Sequence, residues 1–258
     1  LVADQALTRA ESQIPSPNSG IDKGWDYQPG ASVADDLARL EKMKEDKMKR
    51  LGLPGDVKTM PAFIRSSTVR QAEQEALRLG VKSADYRQSL DIANDVNDAI
   101  AKLAPIGILP PDRVRIDDVP FALWAQQYGF NPDDMPAAFS VNLQTNESRL
   151  FVNPKSSYWA DKAAYARRQQ TGYWSTGDPD HAIWHELGHL MHYQNSPSAY
   201  QAQMALSPAD AGIAGKVSGY AQDGVREFIA ETFAALVFGR TLPSDVLNLY
   251  QILGGVLP

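Results

Sequence analysis

DPDHAIWHELGHLMHYQ, from Asp178 to Gln194, holds all four histidines of the chain. Within it His185, Glu186 and His189 form H-E-x-x-H. A four-residue step on a helix sets both imidazoles on one face, one turn apart, where they can converge on a single ion. The segment has helix punctuation: Asp178 is expected to cap it, Pro179 suits the first helical position, and Asn195 with Pro197 ends it. Neutral imidazoles beside a carboxylate suit Zn²⁺, which in catalytic sites takes three protein ligands and keeps one position for water. Glu186 is then placed to act as general base on that water. His181 and His192 fall near the same stripe, but a rise of about 1.5 Å per residue carries His192 roughly 10 Å along the axis from His185. Both are therefore expected around the site or at the surface, not on the ion.

A third ligand is required, and the stretch from Gly219, GYAQDGVREFIAETFAALVFGR, supplies candidates. It reads as a helix from Val225 to Phe238, capped by Asp223 and stopped by Gly239. Glu227 and Glu231 lie one turn apart within an apolar run of Phe228, Ile229, Phe233, Leu236 and Val237. Two carboxylates on so apolar a helix need a cation or hydrogen-bond donors. One can ligate the metal while the other accepts from a ligand imidazole; spacing alone does not say which does which.

The pattern HELGH at 185–189, Tyr220, and E-x-x-x-E at Glu227 and Glu231 before a small and apolar helix resembles the gluzincin metallopeptidases, among them the catalytic domain of anthrax lethal factor and its bacterial and phage relatives. The likeness continues into PSDVLNLY at 243–250 and covers roughly residues 140–258. It implies that His185, His189 and Glu227 bind one catalytic zinc and that Glu186 is the general base. It also implies that Tyr220 hydrogen-bonds the tetrahedral intermediate and that Glu231 fixes the tautomer of a ligand imidazole. Metzincin chemistry is disfavoured, because that pattern needs Gly at 192 and His at 195, where this chain has His192 and Asn195.

Composition bounds the remaining choices. The chain has 258 residues, 43% of them apolar, enough for a substantial core. A net charge of -6 disfavours a general nucleic-acid binder. Cysteine is absent, which rules out a disulfide framework and fits a reducing compartment. No run of about 18 apolar residues suggests a membrane span, and no signal-peptide pattern opens the chain. Beginning at Leu1 and not Met, the chain is expected to be a processed or excised piece of something longer.

Residues 1–66 are expected to form an arm distinct from the domain at 67–258. The stretch 14–30 is rich in Pro, Gly, Ser and Asn, and a strongly charged helix is expected over 34–51. GWDYQPG, at 24–30, resembles the C-terminal end of Mu-type phage head-morphogenesis (minor capsid) proteins. That likeness implies a phage or prophage origin, residence in the bacterial cytoplasm or the virion, and capsid or portal proteins as partners beside a protein or peptide substrate.

From Ser67 the chain becomes regular. Helices are expected over 69–79, 90–103 and 158–170, and strands over 113–116, 139–143 and 149–152, the last two joined as a hairpin by QTNES. The aromatic cluster Tyr158, Trp159, Tyr165, Tyr173 and Trp174 is expected in the core. The segment 195–219 is expected to form a mobile wall of the cleft.

These features define an α+β expectation: a zincin-like domain with a small sheet above, the HExxH helix as floor and further helices below. In zincins an edge strand over the metal helix takes the substrate by strand addition, so the resemblance makes Leu150, Phe151, Val152 and Asn153 substrate-binding candidates. The expected activity is that of a zinc metalloendopeptidase. The alternative is a virion structural or interaction module whose zinc only stabilises the fold.

Overall fold

The computed structural model describes residues 62–258, apart from 88, 120, 124–130, 143, 162, 163, 165, 166, 168 and 203. The helix expected over 34–51, the GWDYQPG stretch, Leu143 and Tyr165 lie outside the described residues. The described chain is a mixed α+β structure built on one small sheet.

Helix α1 (Val69–Arg78) starts where the Thr68 hydroxyl accepts the Gln71 N–H at 3.2 Å, and it gives way at Gly80, whose φ of 96° favours glycine. It packs on α2 (Leu90–Ala101), whose Ile92, Val96 and Ile100 recur at helical spacing and are buried. The polar residue between the two helices is satisfied: Asn97 Nδ2 donates to Ala72 O at 2.8 Å and Asn97 Oδ1 accepts from the Tyr86 hydroxyl at 2.6 Å. The last residues assigned to the arm are tied to this pair of helices. Ile64 N–H donates to Glu75 Oε1 at 2.9 Å, and Ser66 exchanges two hydrogen bonds with the Asn94 amide at 2.8 and 3.1 Å.

The sheet consists of β1 (Ser83–Asp85), β2 (Arg113–Ile116), β3 (Ala137–Asn142) and β4 (Glu147–Val152), in the order β1-β2-β4-β3. β2 runs parallel to both β1 and β4, whereas β3 pairs with β4 antiparallel through the expected hairpin. Its turn is held by Asn142 Oδ1, which accepts from Gln144 N–H at 2.9 Å, and by Asn146 with a φ of 55°. β1 was not anticipated; three residues, mostly polar, carry too little periodicity to read.

This topology corrects the expectation for Leu150, Phe151, Val152 and Asn153 as an edge strand. Leu150 lies opposite Val114 on one side and Phe139 on the other, so β4 is an inner strand with both edges paired. The parallel pairing with β2, distant in sequence, produces this, and a hairpin read locally does not reveal it. Asn153 is buried and structural: its amide donates to Pro132 O at 2.8 Å and its carbonyl accepts the Trp159 indole N–H at 2.8 Å. The outer strand beside β4 is β3, which lies against the HExxH helix.

The remaining elements are α3 (Ser157–Ala160), α4 (His181–Asn195), α5 (Pro197–Ala202), α6 (Pro208–Ala214), α7 (Val225–Val237) and α8 (Ser244–Ile252). α3 is a single turn ending at Ala160, and within the rest of the helix expected over 158–170 the described residues Ala164, Arg167, Gln169 and Gln170 are helical again. α5 and α6 occupy the segment expected to be a mobile wall. α4 is buried continuously from His181 to His192, between β3 on one side and α7 on another.

Neither α4 nor α7 begins as its local sequence suggests. α4 starts at His181, and its N-terminal groups are met by Tyr158, whose hydroxyl donates to Pro179 O and accepts from Ala182 N–H at 3.3 Å. Asp178 instead accepts the Asp180 N–H at 2.8 Å. The N-cap of α7 is Gly224 in extended backbone, and Asp223 closes the preceding 3-10 turn, Tyr220–Asp223. No helix among the described residues is long and apolar enough to cross a membrane.

Candidate metal centre

His185 and His189 project from one face of α4, with ring centroids 4.8 Å apart. α7 crosses this face so closely that a Cβ on Gly188 would stand 2.8 Å from Ala230 Cα. Gly188 lies between the two histidines in sequence, and Ala230 lies between the two glutamates. The close crossing therefore brings both carboxylates onto the imidazole pair.

The two glutamates take different places. Glu227 Oε2 lies 3.1 Å from His185 Nε2 and 3.6 Å from His189 Nε2. Bonds of about 2.0–2.1 Å meeting at tetrahedral angles would place donor atoms about 3.3–3.4 Å apart. The two separations straddle that value, and the three atoms form one of the groups within range to hold a metal ion.

Glu231 is wholly buried and faces the opposite edge of His185. Its Oε1 lies 2.8 Å from His185 Nδ1 and 2.9 Å from His181 Nε2, and its Oε2 accepts from Ser175 N–H at 2.7 Å and the Ser218 hydroxyl at 2.9 Å. Burial alone would raise this carboxyl; the His181 imidazole, followed by that of His185, overturns burial and holds it well below the usual range. His181, His185 and Glu231 also form a group within range of one ion. Their separations of 2.8 and 2.9 Å are hydrogen-bond lengths, as is the 3.1 Å between His185 Nε2 and Glu227; what sets Glu231 apart is that its other oxygen already accepts two hydrogen bonds. The two glutamates that spacing could not tell apart take different places, Glu227 facing the imidazole Nε2 atoms and Glu231 beneath His185 Nδ1.

This donor set fits a resident divalent ion. A carboxylate accepting at His185 Nδ1 places the proton there and leaves the Nε2 lone pair facing a Glu227 oxygen at 3.1 Å, a contact between two lone pairs that needs a proton or a cation between them. Two imidazoles and one carboxylate are the ligand types that suit zinc.

Glu186 is buried, and its Oε2 accepts the Phe139 N–H of β3 at 2.6 Å. The general-base candidate is therefore fastened to the outer strand by a charge-assisted bond. Tyr220 stands over the site, its ring parallel to His185 at 5.2 Å between centroids and to Tyr173 at 5.5 Å. The loops carrying these rings are tied together, since Gly219 N–H donates to Gly172 O at 2.7 Å and Tyr220 N–H to Tyr173 O at 3.0 Å. Arg240 adds a further clamp, donating to Ser175 O at 2.9 Å and to Val217 O at 2.6 Å. His192 is completely buried, in edge contact with Tyr200, and its imidazole is pushed down to about 3, burial being the largest cause. It is neutral and does not join the donor group, and it is not at the surface.

Sequence reasoning missed Gly188 and Phe139. The first left a trace, because a glycine inside an otherwise strong helix pattern asks for a packing reason. The second left none, since its contribution is a backbone N–H aimed by tertiary contact. No family model matches the chain, and no curated protein or solved structure matches it.

Proposed function

We propose that this chain is a zinc-dependent endopeptidase of the zincin type, phage or prophage encoded. The observation that carries the reading is the meeting of His185 Nε2, His189 Nε2 and Glu227 Oε2 at metal-ligand spacing, beside a buried Glu186 fastened to an outer strand. A zinc ion held by these three residues supplies Lewis acidity toward a water and a peptide carbonyl.

The chain's own residues perform the remaining work. Glu186 takes the proton of the attacking water and later delivers it to the leaving amine. The Tyr220 hydroxyl donates to the oxygen on which charge develops. Glu231 keeps the His185 proton on Nδ1, so that Nε2 stays a ligand. Substrate is taken as an added strand along β3. Because Phe139 N–H points away from β4, the two-residue period of a strand turns the main-chain groups of Ala137 and Val141 the same way. The expected substrate is a protein or peptide in extended form, with phage capsid or portal proteins as partners in the bacterial cytoplasm or the virion.

The test is metal content together with hydrolysis of an unfolded protein by the purified chain and by Glu186→Gln. About one zinc per chain in both, with turnover lowered roughly 10²–10⁴-fold in the variant, supports the reading. Unchanged hydrolysis in Glu186→Gln would falsify it. Stoichiometric zinc with no hydrolysis in either would leave the structural virion module as the better account.

A further inference from the structure

We propose that His181 is a positioning residue for the metal centre, acting through Glu231 on the ligand His185. The inference rests on the metal-site reading and adds a residue that coordinates nothing. His181 precedes His185 by one turn of α4, and its Nε2 lies 2.9 Å from the same Glu231 oxygen that His185 Nδ1 meets at 2.8 Å. Ser175 N–H and the Ser218 hydroxyl occupy the other oxygen. An ionised carboxylate offers about four acceptor positions, and four donors now meet them. With every position filled, Glu231 has no free lone pair toward which to rotate, and both imidazole nitrogens facing it carry their protons.

His181 is built for this task and for little else in its surroundings. It is 2% exposed and stacks on Trp174, with centroids 4.8 Å apart and planes at 25°. Its Nδ1 has no hydrogen-bond partner among the described residues. An apolar side chain of similar shape would stack on Trp174 equally well and would avoid the desolvation of that nitrogen. What it would not supply is the Nε2–H on Glu231. Without that donor, Glu231 Oε1 is held by His185 alone and can turn about the anchored Oε2, so His185 has a less firmly fixed partner to aim its Nε2.

Groups that orient a metal-bound imidazole typically change metal affinity about 10–100-fold; acting through one more hydrogen bond, His181 is expected at the lower end of that range. The experiment measures zinc affinity of the full chain by competition with a chromophoric chelator, for wild type, His181→Phe and His181→Gln. Phenylalanine keeps a planar ring on Trp174 and removes the donor; glutamine returns an N–H donor without the ring. Weakening of about tenfold in His181→Phe, most of it recovered in His181→Gln, is the expected result, and a merely structural role would not give rescue by glutamine. Wild-type affinity in His181→Phe overturns the proposal, as does equal weakening in both variants. Should His181→Phe fail to fold, imidazole ¹⁵N–¹H correlations of the zinc-loaded wild type decide: protons on His181 Nε2 and His185 Nδ1 support the proposal, and a His181 protonated only on Nδ1 overturns it. Wild-type chain that takes up no metal sinks the metal-site reading itself, an outcome distinct from wild type and His181→Phe binding zinc equally well.

Discussion

Gly188 and Ala230 touch backbone to backbone: a Cβ added at 188 would stand 2.8 Å from Ala230 Cα and 3.1 Å from its carbonyl oxygen. That contact sets how deeply α7 seats against α4, and hence where Glu227 and Glu231 stand relative to His185 and His189. Gly188→Ala is expected to push the helices apart, lowering stability by about 1–3 kcal/mol as overpacking does in cores. The metal centre should suffer more than the fold. Thermal unfolding and zinc content of the variant check this, and a folded variant with full zinc would show the contact to be dispensable.

The two glutamates should separate under mutation. Glu227→Ala removes the proposed third ligand and is expected to abolish stoichiometric zinc binding. Glu231→Gln presents an amide to donors already pointing at it and should weaken zinc about 10–100-fold without abolishing it. Chelator competition on both variants gives the order; the reverse order would exchange the two roles.

Phe139 N–H holds Glu186 at 2.6 Å. Phe139→Pro deletes that donor on the outer side of an outer strand, where the ladder with β4 does not use it. Compared with Phe139→Ala, which loses the ring alone, the proline variant should lose a further 10–100-fold in kcat/KM, the equivalent of about 1.5–3 kcal/mol for a hydrogen bond to a charged group. Equal activities would mean that the bond does not position Glu186.

Tyr220→Phe keeps the ring stacked on His185 and removes only the hydroxyl. Steady-state kinetics should show kcat reduced by about 10²-fold with KM and zinc content unchanged, as for loss of a single oxyanion donor. A loss confined to KM would assign the hydroxyl to substrate binding instead.

His192 makes stability depend on acid. Its folded pKa is pushed down to about 3, below the ordinary value of 6.5, with burial as the largest cause and the His189 and Arg226 charges adding to it. The unfolded chain therefore binds more protons between these values, so this contribution is complete above about pH 6.5 and falls by about 1.4 kcal/mol per pH unit below it, until pH approaches 3. Denaturant midpoints of metal-free protein at pH 7.5 and 5 should fall further for wild type than for His192→Leu. The expected difference is about 2 kcal/mol, and parallel pH profiles would remove His192 from the account.

The sequence by itself determined what depends on short spacing. A four-residue step on a helix places His185 beside His189 and Glu227 beside Glu231 wherever that helix lies, and the apolar positions around Glu227 and Glu231 already demanded partners for two carboxylates. The hairpin of β3 and β4 was legible for the same reason, through alternation and a turn rich in Asn and Thr. Tertiary structure decided everything that depends on which surfaces meet. The different places of Glu227 and Glu231 follow from how α7 lies across α4 at Gly188 and Ala230. The inner place of β4, and with it the displacement of the outer edge from Leu150–Asn153 to β3, follows from parallel pairing with β2 across the thirty residues 117–146. Tyr158 caps α4 from outside it, and His181 reaches Glu231 across two helices. Periodicity records the face a residue presents; it carries no record of the distant partner, because that partner is chosen by burial and pairing summed over the whole fold.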